Sequence, residues 1–367
     1  MFAIIAGGGT AGHVLPGLAI GRALVARGHE TATVHFVGSA RGIERELVPE
    51  AGFALTLLPG RGIQRRLAVE NLGAILGLTR AFFQALRIVT SSRPRVVVAM
   101  GGYASVPVAM AAALRRVPIV VAEQNAVPGA ANRLVARFAK AAAVSFPDTP
   151  LPRAVVTGNP VRDEVLAVGR TRDRDGARRT LDVSHGRRLV LVFGGSLGAL
   201  RINRAVVGAI VRWRDRPDLA VRHVLGVRDW DLITKETPAR PDDGLQYQPI
   251  RYERSMPVAM AAADLAVCRP GSSTCFELAA VGLPAILVPS PHVTGDHHSA
   301  NARHVEQAGG AVVVPDAEFD ADRLVSEVDS LLDDADRLCR LADGMRSFAR
   351  PDAAERVADL VEKHARA

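Results

Sequence analysis

Residues 264–277, DLAVCRPGSSTCFE, hold a short apolar run, a turn of small residues and the start of a helix. We predict a buried strand at 265–268 and a helix that opens at 272, with the carboxylate of Glu277 one turn further in. Unpaired N–H groups at such a helix start bind phosphate oxygens, and a carboxylate there suits the paired hydroxyls of a ribose. A nucleoside diphosphate site is therefore one interpretation, and an ordinary strand-to-helix turn with a good N-cap is the second.

The same succession of apolar run, turn and helix repeats along the chain and predicts an α/β fold. The apolar runs resemble strands that are buried on both faces of a parallel sheet. They lie at 2–6, 33–38, 96–100, 119–122 and 142–145 in the first half, and at 189–193, 221–225, 265–268, 285–289 and 311–314 in the second. Helices are predicted at 16–27, 41–51 and 67–89. Two doubly wound sheets in tandem are the simplest topology for this order.

The length of 367 residues exceeds one ordinary core and predicts two domains. We place the domains at 1–162 and 163–345, with a final helix at 346–367 that could pack back on the N-terminal domain. The boundary follows Asn159 and Pro160, because a proline forces extended backbone on the residue before it.

Composition narrows the class of protein. The net charge of +8 fits an anionic membrane surface or a phosphorylated substrate. Nucleic acid is not expected, since the basic residues lack aromatic interleaving and no nucleic-acid-binding signature is present. The three cysteines have no CxxC spacing, which favours a reducing cytoplasm over a disulfide framework. No apolar run is long enough for a membrane-spanning helix, and the first residues predict a strand instead of a signal peptide.

The stretch 7–13, GGGTAGH, satisfies GxGxxG between a strand and a helix. A dinucleotide fold would need an acid at the end of the second strand, where residues 37–39 read VGS, so NAD is not predicted. What remains is a glycine-rich turn with Thr10 and His13 beside it. The positive helix end favours a neutral imidazole, which makes His13 a candidate general base. A histidine that only caps the helix is the competing interpretation.

Residues 194–199, GGSLGA, form a second turn of this kind in the second half, with the hydroxyl of Ser196 available to a phosphate. Together with the turn at 269–277 it predicts a diphosphate at the carboxyl ends of these strands. In the first half, residues 101–105 and 123–126 also follow strands and should line the same crevice as His13.

Four polar side chains, His292, Asp296, His297 and His298, cluster in one loop. Such a cluster can bind a metal, but no third well-spaced ligand set accompanies it. We predict hydrogen bonding to sugar hydroxyls there, with no metal and no cofactor.

The helical stretch 67–89 is broadly apolar with a basic rim. Exposed apolar side chains among arginines are typical of an interfacial element, although the helix could equally cover the sheet. The predicted membrane-contact residues are Ile75, Arg80, Phe82, Phe83 and Arg87.

Seven motifs in family order make the chain resemble the MurG family, the GlcNAc transferases that convert lipid I to lipid II in peptidoglycan synthesis. They are GGTAGH (8–13), GGYAS (101–105), EQNAVPGAANR (123–133), GNPVR (158–162), GGSLGA (194–199), CRPGSSTCFELAAVGLPAILVP (268–289) and HHSANA (297–302). The resemblance covers nearly the whole chain. It implies a GT-B fold, with two Rossmann-like doubly wound domains facing across a cleft.

The implied activity is metal-independent, inverting transfer of GlcNAc from UDP-GlcNAc to the 4-hydroxyl of MurNAc in lipid I, undecaprenyl-pyrophosphoryl-MurNAc-pentapeptide. The first domain would bind the acceptor and the membrane, and the second UDP-GlcNAc. The enzyme would lie peripherally on the cytoplasmic face of the cell membrane, against an anionic inner-membrane surface, with other cell-wall synthesis proteins as further partners.

The resemblance also implies roles for individual residues. His13 would be the base or would orient the acceptor hydroxyl, and Glu277 would bind the ribose. The backbone at Glu253 or a neighbour would meet uracil. The remaining implied substrate-binding residues are Thr10, Ala11 and Gly12 in the first glycine loop; Asn125 and Arg162 on the donor; Ser196 on the α-phosphate; Ser272, Ser273, Thr274, Cys275 and Phe276 around the diphosphate; and His297 and His298 on the GlcNAc hydroxyls.

Three positions depart from the family pattern: Ala11 and His298 replace the usual glycine and glutamine, and Leu197 replaces the glutamine of GGSQGA. They leave open a paralogous GT-B transferase that uses another acceptor, such as a natural product. A UDP-sugar 2-epimerase and a non-catalytic nucleotide-sugar-binding protein also stay open as functions of such a chain. No acid lies in the GGTAGH loop, so the identity of the base is open as well.

Overall fold

The computed structural model describes residues 1–40, 42–59, 70–195, 197–238 and 244–367, and for 70–76 the helical backbone. The chain forms two compact units, Met1–Arg162 with Arg350–Ala367, and Asp163–Ala349. Each unit contains a parallel sheet that is covered by helices. A helix lies between most successive strands, as crossover connections in parallel sheets usually require, but a loop joins the last two strands of the first unit, 141–144 and 154–156.

Among the described residues, the strands of the first unit's sheet lie in the order β3-β2-β1-β4-β5-β6-β7, and all neighbouring strands are parallel. Its central strands consist mainly of Val, Ile and Ala and are buried apart from Gly7, as helices on both faces require. The strands are β1 Ala3–Gly7, β2 Val34–Ser39, β3 Ala54–Leu58, β4 Val96–Gly101, β5 Ile119–Glu123, β6 Ala141–Val144 and β7 Ala154–Val156.

Helices cover both faces of this sheet. They are α1 Ala11–Ala26, α2 Glu44–Glu50, α3 Glu70–Ser92, α4 Ser105–Leu114 and α5 Ala130–Val135, with a 3₁₀ turn at Thr31–Thr33. One core joins the sheet to α3, α4 and α5, and a second core joins it to α1, α2 and the last helix, α15 (Ala353–His364). Arg27 at the end of α1 pairs with Asp359 and Glu362, at 2.6 and 2.9 Å, which anchors α15 to this unit.

The second unit repeats the arrangement with the described order β10-β9-β8-β11-β12-β13. Its strands are β8 Arg188–Phe193, β9 Leu219–Val224, β10 Gln246–Ile250, β11 Leu265–Cys268, β12 Ala285–Leu287 and β13 Ala311–Val313. Its helices are α6 Asp163–Thr171, α7 Arg174–Thr180, α8 Leu200–Arg212, α9 Trp230–Glu236, α10 Met256–Ala262, α11 Ser272–Val281, α12 His297–Gln307, α13 Ala321–Asp333 and α14 Ala335–Phe348, with 3₁₀ turns at Thr294–Asp296 and Asp316–Glu318.

Each sheet has one topological switch point, where the chain returns past its first strand to continue on the other side. In the first unit it lies between β1 and β4, and in the second between β8 and β11. Ligands of open α/β sheets bind at the carboxyl ends of the strands at this point. The turns that follow these four strands are therefore where a site is expected.

Several predicted bounds were wrong. Helix α1 begins at Ala11 instead of residue 16, because Pro16 lies inside the helix and not at its first position. The predicted helix at 346–367 is two helices: α14 ends at Phe348 and α15 begins at Ala353. Pro351 explains the break, since proline disfavours helical backbone in the residue before it. The first residues of the predicted helix at 67–89 lie outside the described part of the chain.

Three strands were missed, β3, β7 and β10, and each lies at an edge of its sheet. β10 contains two glutamines and a proline, β7 is only three residues long and Thr56 interrupts β3, so none of them presents a long continuous hydrophobic run. Among the described helices, none combines the length and the hydrophobicity that crossing a membrane requires.

Candidate active site

The turn after β1 places His13 at the carboxyl edge of the first sheet. Thr10 is the N-cap residue of α1, with extended backbone at φ −139° and ψ 157°. Its hydroxyl does not cap the helix backbone; instead it lies 3.2 Å from Nδ1 of His13. This contact fixes the orientation of the imidazole ring. Thr10 and Ala11 are exposed and Gly12 is half-buried, so the loop borders solvent.

Gly101, at the end of β4, lies on the Nε2 side of the His13 ring. A Cβ at Gly101 would be 3.2 Å from Nε2 of His13 and 3.2 Å from Nδ2 of Asn132. Asn132 is buried on α5, and its Oδ1 has no hydrogen-bond partner among the described residues. His13, Gly101 and Asn132 therefore form one cluster at the switch point. Sequence reasoning did not select Asn132 as a site residue.

A buried carboxylate lies beneath the same turn. Glu44, the first residue of α2, is 1% exposed. Its Oε1 accepts a hydrogen bond from the Ser39 amide at 2.6 Å, and its two oxygens lie 3.0 and 3.2 Å from the Gly9 amide nitrogen. A Cβ on Gly8 or Gly42 would overlap this carboxylate. No sequence pattern pointed to Glu44, because it is 35 residues from Gly9 and belongs to no motif.

Glu123, at the end of β5, organises the loop that carries Asn125. One carboxylate oxygen accepts a hydrogen bond from the Asn125 backbone amide. The other accepts hydrogen bonds from the Gly129 backbone amide and from Nδ2 of Asn132, and all three distances are 3.0 Å. Because both oxygens of this buried carboxylate are engaged, Glu123 acts as a loop support and not as a free base. Arg162, the last residue of the first segment of this unit, is half-buried.

Two turns leave the second sheet side by side, because β8 and β11 pair in register with Phe193 opposite Cys268. The first turn, at 194–199, leads into α8, and the second, at 269–271, leads into α11. Two helix N-termini thus begin at the carboxyl edge of neighbouring strands, which is the arrangement that binds phosphates. Ser196 lies outside the described residues, and Leu197 is 57% exposed.

The first turns of α11 are mostly buried. Ser272 and Glu277 are 6% and 7% exposed, while Thr274 is half-buried. The Ser273 hydroxyl is buried and has no hydrogen-bond partner within the described part of the chain. The ring of Phe276 packs on Phe348 with centroids 4.8 Å apart, so only its backbone is placed to meet a ligand.

The two cysteines that flank this turn are not nucleophiles. Burial raises the pKa of Cys275 to about 12 and the pKa of Cys268 well above its ordinary value. Both thiols therefore stay protonated at neutral pH and serve as small core side chains.

His298 is held in the neutral form. Its Nδ1 accepts a hydrogen bond from the Ser290 amide at 3.2 Å, and burial together with neighbouring His297 lowers its pKa to about 4. Nδ1 of His297 donates to the Thr294 carbonyl at 2.9 Å. Both rings thus keep Nε2 for other contacts. The described residues contain no group of three or more His, Cys, Asp or Glu side chains that could hold a metal ion.

A buried polar network lies under the turn at 194–199. The Tyr247 hydroxyl lies 2.9 Å from Nδ1 of His223, and Nε2 of His223 lies 3.0 Å from Oδ1 of Asn203. Nδ2 of Asn203 donates to the Leu225 carbonyl at 3.0 Å and to Asp229 at 3.1 Å. Since Asn203 Oδ1 can only accept, His223 carries its proton on Nε2. Burial lowers the pKa of His223 to about 3.

The side chain of Glu253 is not available to a nucleotide. Its carboxylate pairs with Arg222 at 2.7 Å and also accepts the Ser255 amide at 2.9 Å. A ligand at this position would therefore meet the backbone.

The residues predicted to contact a membrane are placed differently from one another. Phe82 packs against the core, whereas Phe83 is 63% exposed. Arg80 and Arg87 are exposed, and the side chain of Ile75 lies outside the described part.

Two Rossmann-like parallel sheets, each with glycine-rich turns at its switch point, form the GT-B fold, and the family models that match the chain are those of glycosyltransferases. The model of the glycosyltransferase family 28 N-terminal domain matches residues 3–144, and that of the family 28 C-terminal domain matches residues 189–357. The chain belongs to glycosyltransferase family 28.

A relative from Salinibacter ruber is 41% identical over 97% of this chain and 94% of its own length. It is named UDP-N-acetylglucosamine--N-acetylmuramyl-(pentapeptide) pyrophosphoryl-undecaprenol N-acetylglucosamine transferase. The crystal structure of Acinetobacter baumannii MurG superimposes with a TM-score of 0.77 at 26% identity, covering 99% of both chains. UDP-GlcNAc 2-epimerase from Neisseria meningitidis, at 12% identity and a TM-score of 0.69 over 99% of this chain and 100% of its own, shares the fold alone.

Proposed function

We propose that this chain transfers GlcNAc from UDP-GlcNAc to the 4-hydroxyl of MurNAc in lipid I, with inversion at the anomeric carbon, to give lipid II. The observation that carries the proposal is the 41% identity, over nearly the whole length of both chains, to a relative named for this transfer. Among the described residues that the family resemblance selects, His13 follows β1 and the stretch 272–277 follows β11, next to the switch points of their sheets, which supports the same reaction.

The second unit is proposed to bind the donor. UDP is a good leaving group once the charge that develops on its phosphates is neutralised. The N-termini of α8 and α11, with Ser196, would supply that stabilisation without a metal ion. The Glu277 carboxylate would accept hydrogen bonds from the ribose hydroxyls, and the backbone at 272–276 would surround the diphosphate. His297 and His298 would form hydrogen bonds with the GlcNAc.

The first unit is proposed to bind the acceptor. The 4-hydroxyl attacks the anomeric carbon from the face opposite UDP, and its proton must pass to a base as the bond forms. His13 is the proposed base, because the Thr10 hydroxyl holds its Nδ1 side and Nε2 points toward the cluster with Gly101 and Asn132.

The same unit is proposed to dock on an anionic membrane surface at the cytoplasmic face, where the lipid-linked acceptor would be anchored. Residues 71–147 contain nine Arg or Lys and a single acid, Glu123, which is buried. Large apolar side chains are exposed on the packed helices α3, α4 and α5 and just after α5. They are Phe83, Met110, Leu114, Leu134 and Phe138. An exposed apolar patch among basic residues fits a lipid surface with negative headgroups.

The test is release of UDP from UDP-GlcNAc by the full chain, with and without a short-chain lipid I analogue, in the presence of EDTA. We expect release that depends on the acceptor and is unaffected by EDTA. The Glu277→Ala variant should raise the donor KM about 10- to 150-fold, since a charge-assisted hydrogen bond is worth about 1.5–3 kcal/mol. Exposed Glu306→Ala is the matched control. Donor binding without turnover on the lipid I analogue would favour a different acceptor instead.

A further inference from the structure

The carboxylate of Glu44 occupies a site that is built around it. Ser39 and Gly9 amides point at its oxygens, and glycines at positions 8, 38 and 42 leave the space that it fills. Burying a carboxylate is costly unless hydrogen bonds compensate it. A hydroxyl or amide side chain could satisfy one of these amides without a charge, so a negative charge at this position calls for a purpose beyond packing.

Glu44 is connected to His13 through the backbone of the turn and the Thr10 side chain. Glu44 fixes the Gly9 amide, and the next residue is Thr10, whose hydroxyl lies 3.2 Å from Nδ1 of His13. Glu44 and His13 also line one small cavity under the turn, together with Gly7, Val14 and Met100. Gly102 packs closely against the same turn: a Cβ on Gly102 would lie 2.5 Å from the Gly8 carbonyl oxygen, so a side chain there would displace the turn.

We infer that Glu44 is a positioning residue for His13: it fixes the Gly9–Thr10 backbone that orients the imidazole, and its negative charge favours proton uptake by that ring. The inference rests on the proposed function, in which His13 accepts the proton of the acceptor hydroxyl. It also supplies the carboxylate that the GGTAGH loop itself lacks.

The described charged groups around His13 come from two elements besides its own helix. Glu44 approaches from α2, and Glu123 acts from β5 through Asn132, while β4 contributes uncharged Gly101. The Glu123 oxygens are engaged by the Asn125 and Gly129 amides and by Asn132, so its position is set by its own loop. Removing the charge of Glu44 therefore changes one of two negative groups and leaves the other in place.

The experiment compares Glu44→Gln with Glu46→Gln in the full chain, using acceptor-dependent UDP release across a pH series. Glu46 is exposed on the same helix, so its replacement makes the same charge change without the contacts. For Glu44→Gln we expect kcat to fall at least tenfold, because the new amide opposes the Gly9 N–H and misplaces the turn. Donor KM should stay within twofold, and the acidic limb of the kcat profile should move to lower pH, because the neutral imidazole is then favoured.

Wild-type and Glu46→Gln turnover report the proposed function, and only the Glu44 variants report this inference. Unchanged kcat in Glu44→Gln would overturn it, and so would a lower kcat with an unmoved acidic limb, which would assign Glu44 to packing alone. Should the Gln variant fail to fold, Glu44→Asp keeps the charge but withdraws it from Gly9 by one methylene. Glu44→Asp should lower kcat without moving the acidic limb of the kcat profile. Full activity in that variant would also overturn the inference.

Discussion

Gly101 is the residue at which backbone conformation and the candidate site depend on each other most directly. Its φ of +95° lies in the left-handed region that favours glycine. The space that a side chain would occupy is bounded by His13 on one side and Asn132 on the other. Any larger residue must therefore strain the backbone and displace the imidazole at the same time.

Gly101→Ala should separate these two effects when it is compared with Gly28→Ala. Gly28 has a similar φ of +99°, but a Cβ there would have no neighbour within 4 Å. Both variants should lose about 1–2 kcal/mol of stability from the left-handed backbone. Only Gly101→Ala should lower kcat for acceptor-dependent UDP release, by tenfold or more, because its Cβ presses on Nε2 of His13. Equal activity in the two variants would show that the contact with His13 has no catalytic consequence.

At this scale the sequence predicted residues that stand in turns and missed those that reach them from elsewhere. His13 and Glu277 were selected because glycine turns and helix starts are local patterns. Glu44 and Asn132 were not, because their roles depend on which strands and helices the topology brings together. Glu44 meets Gly9 only because β1 and β2 are neighbours in the sheet. No spacing rule along the chain contains that information.

Helices α3, α4 and α5 and the residues just after them together form the surface proposed to meet a membrane. Each helix buries one face in the same core and exposes one or two large apolar side chains. Arg80, Arg87, Arg115, Arg133 and Arg137 are exposed around them. The sequence predicted the apolar and basic character of α3. It did not predict that Phe82 packs on the core while Phe83 is exposed, because the rotation of the helix about its axis decides which of the two faces the core.

Replacing Phe83 and Phe138 together with Ser should weaken binding to vesicles that contain an anionic lipid. Inserting a Phe side chain contributes about 1.5 kcal/mol, so each replacement should cost roughly tenfold in the partition coefficient. Val211→Ser is the control, because Val211 is 54% exposed on α8 of the second unit. Donor KM should not change. Equal vesicle binding by the double variant and wild type would contradict the proposed surface. Phe82 is left intact because it supports the core.

The whole molecule repeats one topology in two units, and this repeat was predictable. Central strands of parallel sheets are continuous apolar runs, so both sheets could be recognised from their interiors. The path of the C-terminus was less visible. The chain passes from α14 in the second unit to α15 in the first at residues 349–352, where Pro351 interrupts the helix. The sequence predicted a single helix at 346–367 because the residues on both sides of the break have a similar amphipathic pattern.

Stability of the second unit should fall in mild acid because His223 is buried in the neutral form. Its folded pKa of about 3 lies far below the ordinary value near 6.5. Below pH 6.5 the unfolded chain takes up a proton that the folded unit does not, so the free energy of unfolding decreases as the pH falls toward 3. At pH 5 this amounts to about 2 kcal/mol, since each pH unit is worth about 1.4 kcal/mol.

Denaturant unfolding at pH 7 and pH 5 checks this expectation. Intrinsic tryptophan fluorescence reports the second unit alone, because both tryptophans, Trp213 and Trp230, belong to it. His223→Gln should lower stability at pH 7, since Gln cannot reproduce both hydrogen bonds of the ring. Its additional loss between pH 7 and pH 5 should be smaller than that of wild type by about 2 kcal/mol. His185→Gln should keep the wild-type dependence, because His185 is exposed. An unchanged loss in His223→Gln would mean that the acid sensitivity of this unit arises at other groups, with His298 the next residue to replace.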